Sequence, residues 1–182
     1  MRYLPLLRRL PLLAAAGALA LLAACSTVER GQSVPLERGA SWVVLPFANQ
    51  TDTPLAGQRA EAVAQALLIG QQVGAVRNAP RSTQQEALFN SDDSQRQEEA
   101  LAWARAQQVR YALTGSVQEW RYKVGVDGEP AVGLTLQIID VANGNILWSG
   151  TGGQSGWSRE ALAAVAHKLM RKLLHSGLAD AR

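Results

Sequence analysis

The hydrophobic pattern changes period several times along the chain, and each change marks an element. Trp42 to Phe47 is a short, nearly continuous apolar run, which predicts a buried strand. Pro54 suits the first position of a helix capped by Thr53, and that helix extends to about Ile69 with Leu55, Ala62, Val63, Ala66 and Leu67 on one stripe. Val73 to Asn78 fits a short strand, and the polar stretch from Pro80 to Asp93 a loop. Ser94 to Gln108 predicts a second helix that buries Ala100, Leu101 and Ala104 and leaves Glu98 and Glu99 outside. Tyr111 to Tyr122 reads as a long strand. Asp127-Gly128-Glu129-Pro130 is a turn, and Val132, Leu134, Leu136 and Ile138 alternate with polar or small residues as one face of the next strand. Asn143-Gly144 signals a tight hairpin into Ile146–Ser149, so three consecutive strands form an antiparallel meander. The glycine-rich segment from Gly150 to Gly156 reads as a connection into a last helix capped by Ser158. That helix buries Leu162, Val165, Ala166, Leu169, Met170, Leu173 and Leu174, and Gly177 is its expected C-cap. The order β-α-β-α-β-β-β-α predicts an α+β fold, a two- or three-layer sandwich of a mixed sheet with helices packed on it.

The segment before this domain has a different character. Arg2, Arg8 and Arg9 precede an apolar run from Leu10 to Leu22 that is too short to span a bilayer comfortably, and Leu22-Ala23-Ala24-Cys25 follows it. This is the pattern of a bacterial lipoprotein signal: residues 1–24 are expected to be cleaved, and Cys25 to be acylated as the new N-terminus. Residues 25–40, polar and holding Gly31, Pro35 and Gly39, read as a flexible tether, and 41–182 as a single domain. The charge balance changes accordingly. The chain has 182 residues with 18 Lys+Arg and 15 Asp+Glu; losing 24 residues, three of them arginine, leaves 158 residues with 15 of each sign. A near-neutral mature domain carries no basic footprint for nucleic acid. The single cysteine, once acylated, leaves no thiol for a disulfide.

Catalytic chemistry is hard to find. His167 and His175 lie eight positions apart on one helix, about 12 Å, too far to share a metal there. The glycines from Gly150 to Gly156 fit neither a phosphate loop nor a nucleophile elbow. No cofactor, metal site or enzymatic activity is therefore expected. Tryptophan is more telling: there are five in a chain with two phenylalanines. Trp42, Trp103 and Trp148 fall inside regular elements and read as core. Trp157 stands in the glycine-rich connection, where an amphipathic ring is either an interfacial membrane anchor or a staple against the last helix.

Several blocks resemble the PelC family, outer-membrane lipoproteins of the Pel exopolysaccharide machinery. They are Trp42-Val43-Val44-Leu45-Pro46-Phe47-Ala48-Asn49 with Ala56–Glu61, Thr114–Trp120, Asp127-Gly128-Glu129-Pro130-Ala131-Val132-Gly133 and Gly156-Trp157-Ser158-Arg159-Glu160. The first block is shared with CsgG-type secretion lipoproteins and with synthase activators such as LpoB; the last two are the specific ones. The resemblance implies a non-enzymatic protein lipid-anchored through Cys25 on the periplasmic face of the outer membrane. It implies a ring of twelve copies that guides a cationic polysaccharide to the PelB outer-membrane porin in biofilm formation. Glu119, Asp127 and Glu129 are the expected polysaccharide-guiding carboxylates, and Trp157 the expected membrane contact. The alternative is a CsgG- or LpoB-like lipoprotein acting in secretion or binding a cell-wall synthase.

Overall fold

The computed structural model describes residues 26–31, 34–80, 93–125 and 128–178. The elements in chain order are β1 (Ser26–Arg30), β2 (Trp42–Asn49), α1 (Ala56–Gly70), β3 (Val76–Asn78), α2 (Asp93–Ala106), β4 (Tyr111–Tyr122), β5 (Pro130–Asp140), β6 (Ile146–Ser155) and α3 (Leu162–Gly177). They build one six-stranded sheet in the order β1-β6-β5-β4-β2-β3. Strand β2 runs parallel to β3 and β4, and the other neighbours are antiparallel, so the sheet is mixed as expected.

Alternation along the strands divides the core between two faces. Trp42, Val44, Leu113, Val117, Leu134, Leu136, Ile138 and Trp148 point to one side and meet α1 and α3. Val43, Leu45, Ala112 and Ile139 point to the other and meet Ala100 and Ala104 of α2. The result is three layers. The first face is the larger; each fully buried leucine or isoleucine there contributes about 1.5–3 kcal/mol of transfer free energy. On the second face α2 covers only β2 and the adjoining ends of β4 and β5. Over the rest of β4, β5 and β6 no helix lies among the described residues.

The Leu45-Pro46-Phe47 block acquires a reason. The register of β2 against β4 shifts between Val44 and Phe47, so Pro46 sits where a missing N–H costs nothing. The freed groups find side chains. The Pro46 carbonyl accepts from Thr114 Oγ1 at 2.8 Å and Gln97 Nε2 at 3.0 Å, and the Phe47 amide donates to Glu61 Oε1 at 3.1 Å.

Five expectations need correction. The stripe expected on α1 is rotated: Leu55, Ala62 and Ala66 are exposed, and the helix buries Ala56, Gly57, Ala60, Ala64, Leu67 and Leu68. Residues 25–40 are not simply a tether, because Ser26–Arg30 pairs antiparallel with β6 from Gln154 to Gly150 and Leu36 is buried in the core. Backbone pairing, which a polar composition does not reveal, is what recruits this segment. The Gly150–Gly156 connection is mostly strand: β6 continues to Ser155. Two of its glycines, Gly150 and Gly152, are packing requirements. A Cβ on Gly150 would lie 2.5 Å from the Trp148 ring, and one on Gly152 would lie 2.9 Å from the Thr27 carbonyl and 3.2 Å from Leu169. Neither Thr53 nor Ser158 caps a helix; Leu55 and Ala161 precede α1 and α3 without a side-chain cap, and Thr53 Oγ1 donates to the Trp120 carbonyl at 2.5 Å instead. Gly177 is the last helical residue of α3, and the indole of Trp148 packs against it, so that a Cβ there would lie 2.8 Å from the ring.

Candidate functional site

Three connections meet at one end of the sheet: β2 to α1, β4 to β5, and β6 to α3. Each is ordered by its own polar groups. Asn49 closes the first, its Nδ2 donating to the Thr53 carbonyl at 2.9 Å while its Oδ1 accepts from the amide and hydroxyl of Thr51 at 3.2 and 2.8 Å. In the second, Lys123 N donates to the Glu129 carbonyl at 2.7 Å, and Gly128 takes a left-handed φ of 51°. The third is tied to the second, since the Gly156 amide donates to the Pro130 carbonyl at 2.8 Å, and a Cβ on Gly156 would lie 2.9 Å from Pro130 Cγ. The Leu162 amide also donates to Tyr122 Oη at 3.2 Å. The blocks ending Glu129-Pro130-Ala131-Val132-Gly133 and beginning Gly156-Trp157, far apart in sequence, are thus packed on each other.

Trp157 is 74% exposed. Its backbone is held, but its ring is not packed into the core. The Trp157 amide donates to Glu160 Oε2 at 3.1 Å, and the Glu160 amide returns a bond to the Trp157 carbonyl at 2.9 Å. Lys168 Nζ grips the other carboxylate oxygen at 2.6 Å. That lysine first, and the Trp157 amide second, hold the Glu160 carboxyl below its ordinary range. Leu55, Tyr122 and Val124 are more than half exposed at the same end. A cluster of exposed apolar side chains is the unusual feature here, since single ones are ordinary. Strand β1 enters from this end too: Ser26 lies opposite Gln154, three residues before Trp157.

The remaining expected site residues are distributed as follows. Glu119 and Glu129 flank the β4–β5 connection, and each has a cationic neighbour: Glu119 Oε1 is 3.0 Å from Arg121 Nε, and Glu129 Oε2 is 3.9 Å from Lys123 Nζ. Cys25 and Asp127 lie outside the described residues. Trp120 is buried, with its neighbour Glu119 on the opposite face of β4 at a register shift between Val117 and Glu119. The sequence reading missed Tyr122 and Val124, and it placed Leu55 on the apolar stripe of α1, whereas Leu55 is exposed. The signal of the first two was available as apolar residues at a strand end and in a turn, but each looked singly unremarkable. Among the described residues no group of three or more His, Cys, Asp or Glu is placed to hold a metal ion. No helix among them is long and apolar enough to cross a membrane.

The fold and these blocks define a class. The family model described as peptidoglycan-synthase activator LpoB matches residues 34–153. Within that class, the PelC dodecamer from Paraburkholderia phytofirmans is 44% identical, with a TM-score of 0.69, covering 82% of this chain and 94% of that one. A point variant of the same dodecamer is 43% identical, with a TM-score of 0.71, covering 84% of this chain and 97% of that one. The chain therefore belongs to the family that the LpoB model defines and, within it, to the PelC proteins. Lipoprotein GNA1162 from Neisseria meningitidis shares the fold at 18% identity and a TM-score of 0.55, covering 75% of this chain and 96% of that one. No curated protein sequence is significantly similar to the chain.

Proposed function

We propose that this chain is an outer-membrane lipoprotein, acylated at Cys25, that assembles into a periplasmic ring and guides a cationic polysaccharide to its outer-membrane porin, PelB, during biofilm formation. The observation that carries this reading is the 43–44% identity to PelC dodecamers along more than four fifths of the chain. The geometry is compatible with it. Exposed Trp157, Tyr122, Val124 and Leu55 collect at the end from which β1 enters the sheet, so an acyl chain on the residue before Ser26 would start beside them. An indole there buries its apolar body at the headgroup level and keeps its N–H wet. One acyl chain gives marginal binding, and several around a ring give firm attachment.

The role is non-enzymatic. A polycation is steered by accumulated negative potential, and this is the role proposed for Glu119, Asp127 and Glu129. Arg121 and Lys123 cancel much of the local field of the two described carboxylates, so any funnel at this end depends on repetition around the ring. The test is complementation. In a Pel-producing host lacking its own PelC, the chain should restore secreted cationic polymer, and Cys25→Ala should not. A chain that restores no export but stimulates a peptidoglycan synthase in vitro would establish the second reading, an LpoB-like activator. The match to the LpoB family model over residues 34–153 keeps that reading in play.

A further inference from the structure

The turn that carries Trp157 is held in a conformation its own residues do not favour. The Glu160 amide donates to the Trp157 carbonyl at 2.9 Å and closes residues 157–160 into a tight turn, within which Arg159 takes a φ of 67°. A residue with a Cβ is strained in that left-handed region and stays there only where its surroundings impose it. Three contacts do so. Glu160 reaches back, and its Oε2 accepts from the Trp157 amide at 3.1 Å. Lys168, in the second turn of α3, holds Oε1 of the same carboxylate at 2.6 Å; the lysine is half exposed, the Glu160 side chain only 16%. From β4, Tyr122 Oη donates to the Glu160 carbonyl at 3.4 Å. Gly156 makes room for the carboxylate, because a Cβ there would lie 2.5 Å from Glu160 Oε2.

A glutamate that reaches back to the amide three residues earlier is half of a capping box, the device that starts a helix. Here it stands clear of one. Helix α3 starts at Leu162, whose amide donates to Tyr122 Oη, and the amides of Ala164 and Val165 donate to the Ala161 carbonyl. The carboxylate is spent on the turn, not on the helix. What the turn delivers is one ring, Trp157, which leaves it 74% exposed. A strained residue, an ion pair and a required glycine thus fix a side chain that the core does not use.

We propose that Glu160, anchored by Lys168, is a positioning residue for membrane contact: it imposes the strained turn and so presents the Trp157 indole at one fixed angle. The proposal rests on the reading of Trp157 as a membrane contact. A ring on a loose glycine-rich connection gives up conformational freedom each time it inserts. A ring on an imposed turn gave it up when the domain folded, and binds the more tightly for it. Neither Glu160 nor Lys168 needs to touch lipid for this.

The experiment uses the acylated mature protein on phosphatidylethanolamine–phosphatidylglycerol vesicles that carry a quencher at headgroup depth. The signal is the part of the tryptophan quenching that Trp157→Phe removes. Flotation shows that each variant is vesicle-bound through its acyl chain, and circular dichroism that it is folded. Glu160→Ala should lose about half or more of the signal while floating and folding as the wild type does. Lys168→Met, which lies outside the turn, should shift the signal in the same direction. Adding Arg159→Gly to Glu160→Ala should restore it, since glycine takes a φ of 67° without strain and the turn then needs no clamp. A carboxylate that merely stabilised α3 would not be rescued in this way. Glu160→Ala and Lys168→Met variants that are quenched as fully as the wild type overturn the proposal and leave Trp157 standing as a membrane contact. A loss that Arg159→Gly fails to restore also overturns it and assigns Glu160 to the stability of α3. Wild-type quenching that Trp157→Phe does not diminish ends the membrane reading of Trp157, and this proposal with it.

Discussion

At the scale of single residues, glycines and one ion pair decide more than the side chains that drew notice in the sequence. Trp148 lies between Gly150 and Gly177, and a Cβ on either would come within 2.8 Å of its ring. Gly150→Ala should therefore cost about 1–3 kcal/mol as overpacking, measured by urea denaturation of the mature domain. Gly153→Ala on the same strand meets no atom closer than 3.9 Å and should stay within about 0.5 kcal/mol of the wild type. Equal losses from the two would show that the contact with Trp148 does not set the cost. The ion pair is Arg110 Nη1 to Asp140 Oδ2 at 2.6 Å, with Arg110 also at 2.9 Å from Glu37 and its guanidinium 4.7 Å above the Tyr111 ring. The Arg110 hydrogen bond, chiefly, holds the Asp140 carboxyl below its ordinary range, and Asp140 in turn is the main reason Arg110 is held more firmly protonated. A carboxyl whose folded pKa is depressed stabilises the fold fully above the unfolded value, about 3.9 for aspartate, and loses that contribution as pH falls through the folded value. Stability of the wild type should thus decline on acidification below about pH 5, and Asp140→Asn should flatten that limb while lowering stability at neutral pH. An acid limb of the same slope in the variant would assign it to other carboxylates.

At the scale of elements, the least obvious is β1. Its outer edge has no partner among the described residues, its inner edge completes β6, and Val28 packs against the core from it. Val28→Pro removes a backbone donor and fixes φ, which an edge strand paired on one side only partly tolerates. Amide exchange between Gly150 and Gln154 should rise in that variant while β4 and β5 stay protected; unchanged exchange would mean that β6 is ordered without β1. This element also marks the limit of what the chain reveals by pattern. Strands β4, β5 and the start of β6 were legible because Leu134, Leu136 and Ile138 alternate and Asn143-Gly144 turns the chain, with Gly144 at a φ of 75°. Helix α3 was legible from its apolar stripe. Strand β1 and the end of β6 were not, because Val28 is the one apolar residue of β1 and three of its five partners are glycines, so the segment carries no periodicity; its order comes chiefly from backbone bonds. The helix starts misled for a related reason. Thr53 and Ser158 look like caps, but Thr53 is spent on the Trp120 carbonyl, and Glu160, tied to Lys168, organises the turn before α3. Of the candidate site, Trp157 stood out through its loop position. The apolar neighbours that make its end of the molecule unusual became visible only when three connections met.

At the scale of the whole molecule, the sheet sets a direction. Strand β1 runs antiparallel to β6, so the chain enters the domain at the end where β6 stops and Trp157 follows. A long flexible tether would let the domain tumble above the membrane at an effective concentration fixed by its length. With Cys25 acylated as proposed, a strand that begins at Ser26 would leave no such slack and would hold the apolar end toward the lipid. In the proposed ring, Trp157 would then be within reach of the headgroup zone in every subunit. Trp42, Trp120 and Trp148 are buried, so collisional quenching from lipid reports chiefly on the exposed ring. The acylated wild type on vesicles carrying a quencher at headgroup depth should lose emission, and Trp157→Phe should lose much less. Inserting ten Gly/Ser residues between Cys25 and Ser26 should keep the protein on the vesicle and weaken the quenching, because the lipid then no longer aims the sheet. If wild-type emission is untouched by lipid while the protein is folded and vesicle-bound, Trp157 faces away from the membrane and its exposure serves a protein contact. If quenching survives the insertion undiminished, the apolar end finds the membrane by its own affinity, and β1 contributes stability but not orientation.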